Sequence, residues 1–174
     1  MVRDDLSLRK VSFISVLAIA FYFSSCIKDK CKDDVLTHER VNYNGFELRT
    51  NGYYYSLVER NQFDGDIYNL FIFFRNGVVN ITSATGSDAI AKTEQAFIDG
   101  SFYNGSKNIK PNWGVFEVRQ DSLQVEQWVM KYCGYPVTEW KAYILNDSTF
   151  VSYSDTFHFK QFCCKPDSTN DFIR

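Results

Sequence analysis

Histidine is nearly absent from this chain. Of 174 residues, only His38 and His158 are histidines. A Ser-His-Asp triad needs a histidine held between nucleophile and carboxylate. His38 falls in a polar stretch, and His158 alternates with Phe157 and Phe159, which turns it to the opposite, solvent side of a strand. There is no Cys-x-x-Cys pair, and the histidines are far apart in sequence, so a zinc-type ligand set has no frame. No Gly-rich phosphate loop or dinucleotide fingerprint is present. Asp64-Gly65-Asp66 lacks the further oxygen ligands and closing Glu of a calcium loop, and reads as a turn. Asp99, Asp121, Glu126 and Glu139 could supply a glycosidase carboxylate pair, but nothing fixes their separation. Solvated strand faces account for them better. The expectation is a protein that is not an enzyme and carries no cofactor and no metal.

Long apolar runs are also missing. The longest, Val11–Phe23, is broken only by Ser12 and Ser15 and falls short of the about 20 residues needed to cross a bilayer. Arg9 and Lys10 precede it, and Ser24-Ser25-Cys26 closes it. A charged start, a short apolar core and small residues before a cysteine make a secretory signal. The ending resembles the lipobox of bacterial lipoproteins, in which Cys26 is lipidated and becomes the mature N-terminus. Residues 1–25 are then a signal peptide, and residues 26–41, polar and aperiodic, a tether to the membrane. Lys32-Asp33-Asp34 resembles a surface-export signal of Gram-negative gut anaerobes, and a solvated linker explains it as well. The expected location is the outer membrane, facing the periplasm or the cell surface.

Basic excess is lacking too. Removing residues 1–25 leaves 16 basic against 19 acidic side chains, a net charge of −3. Nothing there neutralises phosphates, so nucleic acid is not an expected partner. Lipidation of Cys26 leaves Cys31, Cys133, Cys163 and Cys164, and an oxidising compartment favours pairing. Four cysteines allow three connectivities. A bridge between the neighbours Cys163 and Cys164 is strained, so one of these two is expected to pair with Cys133 or Cys31.

What the chain has in abundance is aromatic side chains, at 17% of residues, with 16 Phe and 11 Tyr. Large rings suit pleated, half-buried surfaces. Strands are expected over residues 52–60 and 67–75, then from Val78 to Thr82, with Asn76-Gly77 forming a type I′ hairpin turn between the last two. Residues 83–92 read as a loop or a short helix capped by Asp88. Residues 95–103 read as a strand broken at Asp99-Gly100. Trp113–Arg119 is a strand. Leu123, Val125, Gln127 and Val129 alternate with Gln124, Glu126, Trp128 and Met130, and Trp140, Ala142 and Ile144 alternate with Glu139, Lys141 and Tyr143. Further strands cover residues 149–153 and 156–162. Eight or nine short strands without long crossovers imply an all-β, antiparallel sandwich or up-and-down barrel over residues 42–174.

Trp113-Gly114-Val115-Phe116-Glu117-Val118, Asp121-Ser122-Leu123 and Glu139-Trp140-Lys141-Ala142-Tyr143, with the closing Phe157-His158-Phe159-Lys160, resemble the lipocalin-like lipoproteins of Gram-negative gut anaerobes. The resemblance covers about residues 52–170. It implies a β-barrel of about eight strands, often with a hydrophobic cup, and no transferable catalytic residues. Such a barrel is just wide enough for side chains or one small ligand. The cup-wall candidates are Tyr54, Phe71, Phe73, Val115, Trp128 and Trp140. The expected role is binding a small hydrophobic ligand. The alternative is a filled barrel that binds an envelope protein or a glycan, the latter on a platform of Trp113, Trp128, Trp140 and Tyr53–Tyr55. Asp121-Ser122, Asp147-Ser148 and Asp167-Ser168 resemble O-glycosylation sites, and ordinary turn chemistry also explains them.

The leader reading predicts that a clickable palmitate analogue labels the wild-type chain in cells and that Cys26→Ala abolishes the label.

Overall fold

The computed structural model describes residues 31–61 and 65–173. The leader, Cys26 and Asp64 lie outside the described residues. Eight strands run in sequence order: β1 (Gly52–Asn61), β2 (Gly65–Phe73), β3 (Val78–Gly86), β4 (Trp113–Arg119), β5 (Ser122–Trp128), β6 (Val137–Asn146), β7 (Thr149–Ser152) and β8 (Asp155–Gln161). Every neighbouring pair is antiparallel, and β8 returns to β1 with Tyr54 opposite Phe159, which closes the barrel. This is an up-and-down, lipocalin-like topology. Closure removes the edges that would otherwise invite pairing with other chains.

The β2–β3 hairpin forms where Asn76-Gly77 places it, but its turn is not type I′. Gly77 adopts φ 80° while Asn76 stays at negative φ. The Gly77 N–H donates to Phe74 O at 3.0 Å, and the Phe74 N–H donates to Val78 O at 2.9 Å. Those bonds describe a four-residue turn ended by a left-handed glycine, which absorbs the extra residue as a bulge. A side chain at residue 77 would also run into the backbone of Val41.

The expectation of a strand over residues 95–103 is overturned. α1 (Ala89–Asp99) and α2 (Ser101–Gly105) occupy the β3–β4 crossover, followed by two single 3-10 turns. Ala89, Thr93 and Phe97 recur at four-residue spacing and put Phe97 against the barrel. Gly100, in left-handed conformation at φ 77°, ends α1. Asp88 occupies the N-cap position without a side-chain cap bond. No described helix is long and apolar enough to cross a membrane.

Side chains on the inner face form one continuous cluster. It includes Tyr54, Phe71, Phe73, Val79, Phe116, Leu123, Val125, Ala142, Ile144, Phe150 and Phe157. Phe71 meets Phe157 edge-on at 4.9 Å, Phe73 meets Phe116 at 4.9 Å, and Phe150 stacks on Phe157 at 4.7 Å. Each such pair adds about 0.5–1.5 kcal/mol beyond the area it buries. A second cluster lies outside the barrel. Tyr53, Leu70, Ile72 and Ala84 pack beneath Ala89 and Phe97 of α1.

The residues upstream of β1 are bonded to the barrel. The Tyr43 N–H donates to Arg75 O at 2.8 Å, and the Arg49 N–H donates to Asp147 O at 3.2 Å. Leu48 and Tyr43 thereby plug the end of the barrel that carries the β2–β3, β4–β5 and β6–β7 turns. Farther upstream, Cys31 is bonded to Cys133, 102 residues away. This corrects the expected pairing: Cys163 and Cys164 are both free and exposed. Neither could be reached by Cys31, because residues 31–38 lie along β5 and the β5–β6 connection instead.

Phe150→Ala is expected to lower the stability read from urea unfolding by about 3–5 kcal/mol, the cost of a large core cavity. Phe46→Ala, at a site 88% exposed, should change it by no more than about 0.5 kcal/mol.

Candidate functional site

The six cup-wall candidates divide by face. Tyr54, Phe71, Phe73 and Trp140 belong to the inner cluster, Trp140 half-buried at its edge. Val115 and Trp128 do not share that wall. Phe116 and Val125 point inward, so the strand pleat sends Val115 and Trp128 outward. Both are buried there by chain lying over the outer face. The Trp128 indole N–H donates to Asp34 O at 2.7 Å. The Trp113 indole N–H donates to Lys107 O at 3.0 Å. With Tyr53 and Tyr54 fully buried as well, the expected tryptophan–tyrosine platform is core rather than surface.

The inner face changes character along the barrel axis. From the plugged base up to Phe157 it is a solid stack of rings. Toward the opposite end, the mouth, the inward positions become Ser56, Asn69, Gln127, Thr138 and Ser152 around Trp140 and Ile81. Gln127 lies opposite Thr138 across the β5–β6 ladder. Its Oε1 atom is buried and has no hydrogen-bond partner among the described residues. An unpaired buried amide oxygen costs about 1–3 kcal/mol unless something donates to it.

The connections at this end carry exposed apolar groups. Met130 and Tyr132 stand out from the β5–β6 connection, and Tyr153 stands out from the two-residue turn between β7 and β8. Tyr153 is 88% exposed and sits at φ 53°. Positive φ at that position is what a two-residue hairpin turn demands, as at Gln120 (φ 55°) between β4 and β5, and at Tyr153 it holds a large ring out into solvent.

Two of the open clefts formed by the described residues lie outside the barrel. One, of about 800 Å³, lies at the base between the β2–β3 turn and the segment after β8, with Thr50, Phe74, Arg75, Phe162 and Lys165 in its lining. Lys165 Nζ donates to Thr50 O and Phe73 O and lies 4.6 Å from the Phe74 ring centroid. Burial, aided by Arg75, lowers its amine to about 8. The other cleft, of about 410 Å³, separates the outer face of β3 from α1 and α2. On that outer face Asn80 is fully buried, and its amide has no partner among the described residues.

Glu126 also departs from the solvated strand face expected for it, being 4% exposed. Its carboxylate accepts the Thr37 and His38 backbone N–H groups, each at 2.8 Å, and the Thr37 hydroxyl at 2.6 Å. Burial pushes this carboxyl up, but those donors outweigh burial and hold it below its ordinary 4.5. This carboxylate clamps the N-terminal segment to β5. His158 is exposed on β8 as expected, and Asp99, Asp121 and Glu139 are exposed. Among the described residues no three potential metal ligands gather.

Because the Glu126 carboxyl is depressed in the folded state, its stabilisation is fully present above pH 4.5 and fades as pH falls below that value. Urea midpoints measured against pH should therefore drop on the acid side, and Glu126→Gln should flatten that part of the drop. Comparison with family models, with curated proteins and with solved structures finds no match for the chain.

Proposed function

We propose that the chain is an envelope-anchored interaction module whose filled barrel presents a glycan-binding mouth. The observation that carries this reading is Tyr153, a ring 88% exposed at the tip of the two-residue turn between β7 and β8. Tyr132 and Met130 stand at the same end. Inside the mouth, half-buried Trp140 is ringed by amide and hydroxyl groups, and Gln127 Oε1 still wants a donor. Flat rings for the faces of sugars and amides for their hydroxyls are the two chemistries that recognise carbohydrate.

The small hydrophobic ligand is the second reading. It rests on the half-buried Ile81 and Trp140, which leave an apolar floor at the mouth. Below them the rings of Phe71, Phe150 and Phe157 already occupy the volume that such a ligand would need. Membrane attachment through Cys26 belongs to the same proposal and rests on the leader pattern alone.

Titration with oligosaccharide fractions, followed by tryptophan fluorescence, should give saturable binding. Tyr132→Ala and Tyr153→Ala should each weaken it about tenfold, the size of one good ring contact. Unchanged affinity in the double variant would overturn the proposal. Displacement of an apolar dye by fatty acids, abolished by Trp140→Ala, would transfer the site to the hydrophobic ligand.

A further inference from the structure

Cys163 and Cys164 follow β8 within a turn, outside the Cys31–Cys133 bridge. Both are exposed, and their Sγ atoms stand 2.9 Å apart, one thiol donating to the other. The turn is fastened on both sides. The Phe162 N–H donates to Asn51 O at 3.2 Å, and Lys165 Nζ reaches back to Thr50 O and Phe73 O at the barrel base. Two nucleophilic sulfurs are thus held in contact and in reach of solvent, with Cys163 in the lining of the base cleft.

We propose that Cys163 and Cys164 form a reversible dithiol–disulfide site that exchanges with low-molecular-weight disulfides. The thiolate of one cysteine attacks a sulfur of the incoming disulfide. The incoming S–S bond breaks, and one small thiolate leaves. The neighbouring protein thiolate then attacks the protein sulfur of the mixed disulfide, forms the Cys163–Cys164 bond and expels the second small thiolate. The two protein thiols are oxidised, one small disulfide is reduced to two thiols, and the protein's two protons end on the leaving groups.

Geometry makes this bond easy to form and easy to break. Sulfurs already in contact need no search to meet. Consecutive Cα atoms, however, sit about 3.8 Å apart, less than the about 4.4–6.8 Å that a relaxed disulfide spans. Fastening at Phe162 and Lys165 limits how far the turn can rearrange to relieve that mismatch. Strained, exposed disulfides are the readily reduced ones. The hydrogen bond from its neighbour raises the Cys164 thiol above its ordinary value. Cys31–Cys133 spans 102 residues with Cα atoms 4.7 Å apart, within the relaxed range, and carries no such penalty.

The test equilibrates the folded full chain across ratios of oxidised to reduced glutathione, quenches with acid, alkylates and digests with trypsin. Lys165 precedes Pro166 and resists cleavage, so residues 161–174 form one peptide free of Cys26, Cys31 and Cys133. Excess oxidised glutathione should leave that peptide with neither alkyl groups nor glutathione. Excess reduced glutathione should restore double alkylation, at a ratio about tenfold or more milder than the one that opens Cys31–Cys133. Cys163→Ser and Cys164→Ser should each accumulate one glutathione adduct, because the second attack is missing. Double alkylation of the wild type across the whole series, two stable glutathione adducts, or opening only together with Cys31–Cys133 would each overturn the proposal.

Discussion

Eight antiparallel strands enclose a volume that large side chains can fill, and here rings fill it. Phe71 touches Phe73, Trp140, Phe150 and Phe157, so removing any one ring unpacks several strands at once. These contacts link β2, β6, β7 and β8 across the barrel, whereas the hydrogen-bonded ladders link neighbours only. Tyr54 adds a polar tie, since its hydroxyl donates to Asp147 O at 2.6 Å and accepts the Arg49 N–H at 2.9 Å. Burial pushes that phenol far above its ordinary value, so it stays a neutral donor. Inner packing and the plugged base are therefore one construction.

That construction decides where chemistry can happen. A solid interior leaves the mouth, the outer faces and the base as the places where groups remain unsatisfied or exposed. The orphaned amides of Gln127 and Asn80 lie on opposite faces of the wall, and the free thiols lie at the base. The indoles of Trp113 and Trp128 and the carboxylate of Glu126, by contrast, are buried against the barrel and paired.

Much of the fold was legible because period-two alternation survives wherever one face meets solvent. β6 is such a strand: Ala142 and Ile144 are buried while Lys141, Tyr143 and Leu145 are exposed. The signal fails where both faces are covered. In β2, Leu70 and Ile72 are as buried as Phe71 and Phe73, so no pattern said which set pointed inward. The same double cover sent Val115 and Trp128 outward against expectation. A short helix after Asp88 was legible as an alternative to a loop, but its continuation past residue 92 was read as a strand because Phe97 and Phe102 look strand-like one residue at a time, while the informative signal was the four-residue spacing of Ala89, Thr93 and Phe97. Glu126 could not have been read as a clamp, since its partners lie 88 and 89 residues away. The Cys31–Cys133 pairing was closed to sequence for the same reason.

The way the N-terminal segment is fastened has a mechanical side. Tension arriving from upstream of Cys31 meets Cys133 first, through a covalent bond. It is then shared by Asp34, Thr37 and His38 on β5 before any of it reaches Gly52, where β1 begins. The pull therefore enters the barrel in the middle of its wall, spread along a strand flanked on both sides by paired neighbours. The first strand is spared from being peeled off its ladder one bond at a time.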